Sequence, residues 1–157
     1  MKLLVFSDTH GYSKTMLDII SDEKPDLIVH LGDGGPDTDE IKKQFPHIPL
    51  KAVRGNCDRP SLLLPEMEIF MAGGLKILIT HGHAYSVKKN LAALIAKANS
   101  TGVDLVMYGH THIPDWHMSG NLRVLNPGAC GNSQPQSYAR IKLSMDGYIS
   151  CDIVSLR

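Results

Sequence analysis

Leu105-Val106-Met107-Tyr108-Gly109-His110-Thr111-His112 is an apolar run that ends in two imidazoles two residues apart. The run has the length and composition of a strand buried on both faces, and the glycine lets the backbone turn sharply where it emerges. Neutral imidazole is the commonest protein ligand for metal ions, so a His-x-His pair on a turn at a strand tip can grip one ion or two adjacent ones. One such pair in a chain with eight histidines decides little by itself. Its weight comes from the other segments that end in the same way.

Four further apolar runs do so. Residues 3–6 lead into Ser7-Asp8-Thr9-His10-Gly11, and residues 27–31 into Gly32-Asp33-Gly34-Gly35. Residues 50–53 lead into Arg54-Gly55-Asn56-Cys57-Asp58, and residues 75–79 into Thr80-His81-Gly82-His83. Each of these, taken singly, also reads as an ordinary polar turn, because Asp, Asn and Gly are common there. The glycines around Asp33 mean that the backbone turns tightly there, approaches something closely, or both.

Between the runs, apolar spacing predicts helices. Lys14 to Asp22 follows Ser13 as N-cap, with Met16, Leu17 and Ile20 on one face, and a shorter helix runs from Asp37 to Phe45. A third is capped by Ser86, carries Val87, Leu91, Leu94, Ile95 and Ala98 as a stripe, and stops at Gly102. Pro60 to Pro65 reads as a connector. Hairpins are expected through Gly73-Gly74, through Ser119-Gly120-Asn121 and through Asp146-Gly147. His30 lies inside a strand and reads as a core or supporting residue. His47 reads as solvated, and Trp116 and His117 as packing and surface.

The chain has 157 residues, 16 basic and 16 acidic, and no repeat or linker, so residues 1–157 are expected to form one domain with a core of its own. Balanced charge offers no case for nucleic acid or an anionic membrane as a partner. Three scattered cysteines suit a reducing compartment better than a disulfide framework. Met1 to Phe6 is too short for a signal-peptide core, and no apolar run approaches a membrane span, so a cytoplasmic location is expected. Oligomeric state cannot be read from the sequence.

In an open α/β sheet the carboxyl ends of the strands share an edge, and sites form there. Five strand ends would bring Asp8, His10, Asp33, Asn56, His81, His110 and His112 into one crevice. Two carboxylates and four imidazoles packed together are costly unless divalent cations bind them in their deprotonated forms. Seven donors exceed the needs of one tetrahedral ion and suit two ions sharing a bridge. The oxygen and nitrogen donors point to manganese first, with nickel, zinc, iron or cobalt also suited.

The ordered succession Asp8-x-His10, Gly32-Asp33, Gly55-Asn56, His81 and Gly109-His110-x-His112 resembles the calcineurin-like metallophosphoesterase superfamily across the whole chain. Gly-Asn-Cys-Asp, Thr-His-Gly-His and Asn-Pro-Gly resemble its small prokaryotic single-domain phosphodiesterase branch. The resemblance implies an α/β (α+β) fold: a four-layer αββα sandwich of two mixed β-sheets flanked by helices. It implies one metal on Asp8, His10, Asp33 and His112, and a second on Asn56, His81 and His110 with Asp33 as bridge. The implied reaction is hydrolysis of a small phosphate ester, most simply a diester, by in-line attack of a metal-bridging hydroxide. Asp33, Asn56 and His81 would then serve catalysis as well as binding. Much of the superfamily has His after Gly-Asn, assigned to leaving-group protonation or phosphate binding. Here Cys57 stands in that place, followed by Asp58, which fits the pattern, and His83 is a candidate replacement for the missing acid. The rival readings are a non-catalytic interaction scaffold on the same fold, as in a retromer subunit, and a phosphomonoesterase or nuclease.

Overall fold

The computed structural model describes residues 1–60 and 63–156, so part of the expected connector from Pro60 to Pro65 lies outside the described residues. The chain opens with β1 (Lys2–Phe6), α1 (Lys14–Glu23), β2 (Leu27–His30), α2 (Gly35–Gln44) and β3 (Leu50–Ala52). Then follow β4 (Met67–Ala72), β5 (Leu75–Thr80), α3 (Ala92–Thr101) and β6 (Leu105–Met107). It closes with β7 (Asp115–Ser119), β8 (Leu122–Asn126), β9 (Gln136–Leu143) and β10 (Ile149–Leu156).

The strands form two mixed five-stranded sheets. The first has the order β10-β9-β1-β2-β3, with β1, β2 and β3 parallel, and the second the order β4-β5-β6-β8-β7, with β5, β6 and β8 parallel. The apolar runs show why they stack. In β1, Leu3 and Val5 join Ile77, Ile79, Leu105 and Met107 in the core between the sheets, while Leu4 and Phe6 face Met16, Ile20 and Ile41 of α1 and α2. On the far side, Leu78, Val106 and Val124 meet Leu94 and Ala98 of α3. A strand covered on both faces needs apolar residues at every position, and the period-2 pleat sorts them into two cores. The result is helix, sheet, sheet, helix: the expected four layers.

The helix starts differ from the sequence reading. Ser13 stands at the N-cap of α1, but with helical dihedrals and no side-chain cap bond. The second helix begins at Gly35 rather than Asp37, because a carboxylate from another loop caps it, as described below. Ser86 does not cap α3. It has a φ of 52° and ends a short 3-10 turn, His83–Tyr85. The helix starts only at Ala92, whose N–H donates to Asn90 Oδ1 at 3.0 Å. Val87 nevertheless belongs to the apolar cluster under α3, packed against Gly82. The apolar stripe was therefore a correct guide to burial and a wrong guide to where the helix begins. The hairpin at Gly73-Gly74 (φ 54° and 79°) and the stop at Gly102 (φ 62°) are as expected.

Candidate metal centre

The parallel strands of both sheets deliver their carboxyl ends to one region. Each sheet knits its strand ends together: Asp8 N–H donates to Gly32 O at 3.0 Å, His10 N–H to Asp33 O at 2.8 Å, and Gly109 N–H to His81 O at 3.0 Å. Five of the seven ligand candidates then turn through the left-handed region: Asp8 (φ 55°), His10 (48°), Asp33 (54°), His110 (68°) and His112 (60°). For non-glycine residues this conformation is uncommon, and such strain concentrates at functional sites where the surroundings enforce it.

Three groups of ligand atoms result, each with its members within 4.8 Å of one another: Asp8, His10 and His112; Asp33, His81 and His110; and His10, Asp33 and Cys57, which shares a member with each of the first two. They adjoin. His10 Nε2 lies 3.8 Å from both Asp8 Oδ1 and Asp33 Oδ2, and His81 Nε2 lies 3.3 Å from Asp33 Oδ2 and 3.9 Å from Asp8 Oδ1. Asn56 Oδ1 is 3.1 Å from His81 Nε2, so the seventh candidate joins the second group.

The donor orientation suits cations. His81 Nδ1 donates to Leu31 O at 2.7 Å, which leaves Nε2 turned to the site with a free lone pair in the neutral ring. His112 Nδ1 is held by Ser133 Oγ at 3.0 Å, again leaving Nε2 inward. Asp8 Oδ2 is occupied by Ser7 Oγ–H at 2.5 Å and His110 N–H at 3.1 Å. Its other oxygen, Oδ1, is fully buried and makes no hydrogen bond, although His112 Nε2 lies 3.1 Å away. A buried carboxylate oxygen without a donor, ringed by three imidazole nitrogens, is the arrangement a divalent cation satisfies.

The electrostatics agree. Burial pushes the Asp8 and Asp33 acids up, but neighbouring imidazoles outweigh it. His112 and His81 hold Asp8 below its ordinary range, and His81, with the Cys57 N–H, holds Asp33 well below it. Burial pushes His81 down, but Asp33 and Asp8 carry it above its ordinary value. Both carboxylates are therefore anionic at neutral pH, and a cation bound between them can take the place of the imidazole proton.

The remaining candidates have distinct surroundings. Cys57 is exposed at the mouth, its N–H donating to Asp33 Oδ1 at 2.8 Å; partial desolvation of the thiol and the Asp33 carboxylate push its pKa up. Asp58 uses its carboxylate on backbone: it accepts the N–H of Asp33 and Gly55 at 2.8 Å each, of Gly34 at 3.1 Å and of Gly35 at 2.8 Å. It thereby caps α2 from the β3 loop. His83 lies beside the cluster, its ring 5.5 Å from that of His81 and 6.2 Å from that of His110, with a buried Nδ1 that makes no hydrogen bond. The glycines near Asp33 serve close approach as well as turning, since a Cβ on Gly55 would sit 2.0 Å from Asp33 Oδ1.

Of the residues that support the site, only His30 was marked as such in the sequence. His30 is buried and within 3.0 Å of Thr9 Oγ1, whose hydroxyl donates to Asp37 Oδ2 at 2.5 Å; Asp37 also accepts the Gly11 N–H at 2.9 Å. This chain fixes the loop that carries His10. Buried Asn126 donates to Gly109 O and Thr111 Oγ1 at 3.0 Å each and so holds the His110–His112 loop. In the sequence Asn126-Pro127-Gly128 reads as a turn and as part of the family resemblance, with no role in the site for Asn126. His47 is exposed, and His117 pairs with Asp115 at 2.9 Å, outside the site.

Residues 1–146 match the calcineurin-like phosphoesterase superfamily domain. The chain is 31% identical to the probable metallophosphoesterase YsnB of Bacillus subtilis, over 93% of this chain and 86% of that protein. It is 30% identical to the phosphodiesterase MJ0936 of Methanocaldococcus jannaschii, over 83% of this chain and 84% of that protein. A crystal structure of a predicted phosphoesterase from Streptococcus pneumoniae superposes with a TM-score of 0.83 at 28% identity, covering 98% of this chain and 88% of that one. Vps29 of Entamoeba histolytica, in complex with zinc, superposes with a TM-score of 0.78 at 23% identity over 99% of both chains, a likeness of fold alone.

Proposed function

The chain belongs to the calcineurin-like phosphoesterase superfamily, and on that premise we propose that it is a dinuclear metal-dependent phosphodiesterase. Asp8, His10, Asp33 and His112 would hold one ion, and Asp33, Asn56, His81 and His110 the other, with Asp33 common to both. The observation that carries this reading is the unpartnered, buried Asp8 Oδ1 set beside two adjoining ligand groups. The donors are oxygen and nitrogen, which suits manganese, nickel, zinc, iron or cobalt.

Bound divalent ions supply Lewis acidity and lower the pKa of coordinated water, so a nucleophile is available at neutral pH and phosphate charge is stabilised. The chain's own residues do the rest. His81 and His112 keep their Nε2 atoms inward through Leu31 O and Ser133 Oγ. Asp58 and the Cys57 N–H keep Asp33 in place. No serine or cysteine nucleophile is needed, and the Cys57 thiol, whose ionisation is disfavoured, is poorly suited to that role. A diester is favoured over a monoester by likeness to a relative named as a phosphodiesterase. A scaffold sharing only the fold would not need a full set of seven ligating side chains.

The test is elemental analysis of protein prepared without chelator, alongside a screen of mono- and diesters with manganese, nickel, zinc and cobalt. We expect about two ions per chain and hydrolysis that chelation abolishes and added metal restores. Protein that binds no metal and hydrolyses nothing with any of the four ions would sink the reading.

A further inference from the structure

Next to the histidine cluster the second sheet builds a recess of about 550 Å³ that the metal centre does not use. Its walls come from the turn before α3 (Val87 and Leu91), the residue after β6 (Tyr108) and the segment after His112 (Ile113 and Pro114). Val87 and Tyr108 are anchored in the apolar core under α3, so that wall is rigid. Ile113, which directly follows a ligand histidine, is 67% exposed, and hydrophobic contact is what such a side chain can offer a bound group.

Charge links the recess to the site. Thr111, between the two histidines of the opening motif, lines it, and so does Lys88. Among the described residues Lys88 forms no ion pair. Asp115, the one carboxylate in the lining, is engaged by His117 at 2.9 Å. An available cation thus stands where the ligand histidines meet an apolar pocket of a size suited to small ligands. The first sheet builds a separate recess of about 290 Å³ beside His10, Pro36 and Cys57, so there is space for groups on both sheets' sides of the site.

We propose that the recess walled by Val87, Leu91, Tyr108, Ile113 and Pro114 is a subsite for an aromatic ester substituent of the substrate, with Lys88 pairing with the attached phosphate. This deepens the phosphodiesterase reading and rests on it. It selects planar, apolar substituents over small alkyl ones. Ile113 and Lys88 set that preference as specificity residues and take no part in the chemistry.

The experiment is calorimetric binding of phenylphosphonate and methylphosphonate to the metal-loaded full chain, the parent protein and the variants Ile113→Asn and Lys88→Gln. Both substituted side chains are exposed, so the fold should survive. The parent should bind phenylphosphonate about tenfold more tightly than methylphosphonate, Ile113→Asn should remove most of that preference, and Lys88→Gln should weaken both ligands alike by about threefold. Equal affinities in the parent, or a preference that persists in Ile113→Asn, overturns the subsite; unchanged affinities in Lys88→Gln overturn the role of the lysine. Hydrolysis of bis(4-nitrophenyl) phosphate is measured on the same preparation. Failure there counts against the enzyme reading, whereas the phosphonate preference reports on the recess independently of turnover.

Discussion

The Asp58 carboxylate accepts the backbone N–H of Asp33 at 2.8 Å, across 25 residues of sequence. Three more N–H groups, those of Gly34, Gly35 and Gly55, converge on the same carboxylate. One side chain therefore fixes the β2–α2 loop to the β3 loop and sets the direction of Asp33. Asp58→Ala should lower the stability of the metal-free protein by about 3 kcal/mol, because several N–H groups lose a charged acceptor at once. Denaturant unfolding in the presence of chelator reads this directly. A loss below about 0.5 kcal/mol, the range of ordinary surface substitutions, would show that the clamp contributes little.

Asp33 is the ligand assigned to both ions. Asp33→Asn keeps an acceptor for the Cys57 N–H, so its fold should persist while the negative charge is lost. We expect kcat/KM to fall by at least about 10³-fold and occupancy of both metal positions to drop. Elemental analysis with kinetics checks this. A variant that retains two ions and near-parental turnover contradicts the assignment of Asp33 as bridge.

Cys57 bears on which esters are cleaved well. Partial desolvation and the Asp33 carboxylate raise its pKa, so the thiol stays protonated and is a weaker acid than an imidazolium. Positioned general-acid help is worth on the order of 10²–10⁴ in rate, and most where the leaving group is poor. Rates should therefore fall steeply from phenol-like to alkyl leaving groups. Cys57→His should recover part of the loss on alkyl esters, and Cys57→Ala should matter far less than loss of Asp33. A leaving-group series on the three proteins decides it. A flat dependence in the parent would mean that Cys57 or a neighbour such as His83 already donates the proton.

Acid sensitivity should include a contribution far from the site. Arg140 holds the Glu23 carboxyl down to about 2, with burial opposing and the Tyr138 hydroxyl and Lys2 adding to the effect. A carboxyl with a lowered folded-state pKa stabilises above its unfolded value of about 4.3 and loses that contribution as pH falls toward 2. The pair is partly solvated, so Glu23→Gln should cost only about 1 kcal/mol at pH 7. The difference between parent and variant should shrink between about pH 4.5 and 2. Chemical unfolding at a series of pH values tests it; a gap that stays constant down to pH 2.5 would remove the Arg140 pairing as its cause.

Much of the molecule was legible in the sequence, for identifiable reasons. Leu3 to Phe6 is apolar at every position because both faces of β1 are covered, and that alone implies layers on either side. The glycine-flanked Asp, Asn and His residues after five such runs marked the strand ends where a site forms, and the structure brings all seven together. Element starts were less legible. Ser86 and the stripe from Val87 to Leu91 read as the first turn of a helix, yet Val87 is buried against Gly82 in a non-helical turn, and α3 starts only after Leu91, its first N–H donating to Asn90 Oδ1. Periodicity reports which residues are buried, and a turn can bury the same residues as a helix.

What only the tertiary structure decided was which polar residues act on the site and which hold it in place. Residue type alone does not separate Asp8, Asp37 and Asp58. Asp8 keeps one buried oxygen without a hydrogen-bond donor, whereas the oxygens of Asp58 are taken up by backbone N–H groups and Asp37 is engaged by Thr9 and Gly11. Residue type and spacing fix the donors available and the strand each follows. Whether a carboxylate oxygen is left free for a cation depends on which N–H groups the folded backbone brings within 3 Å of it, and those come from loops distant in the chain.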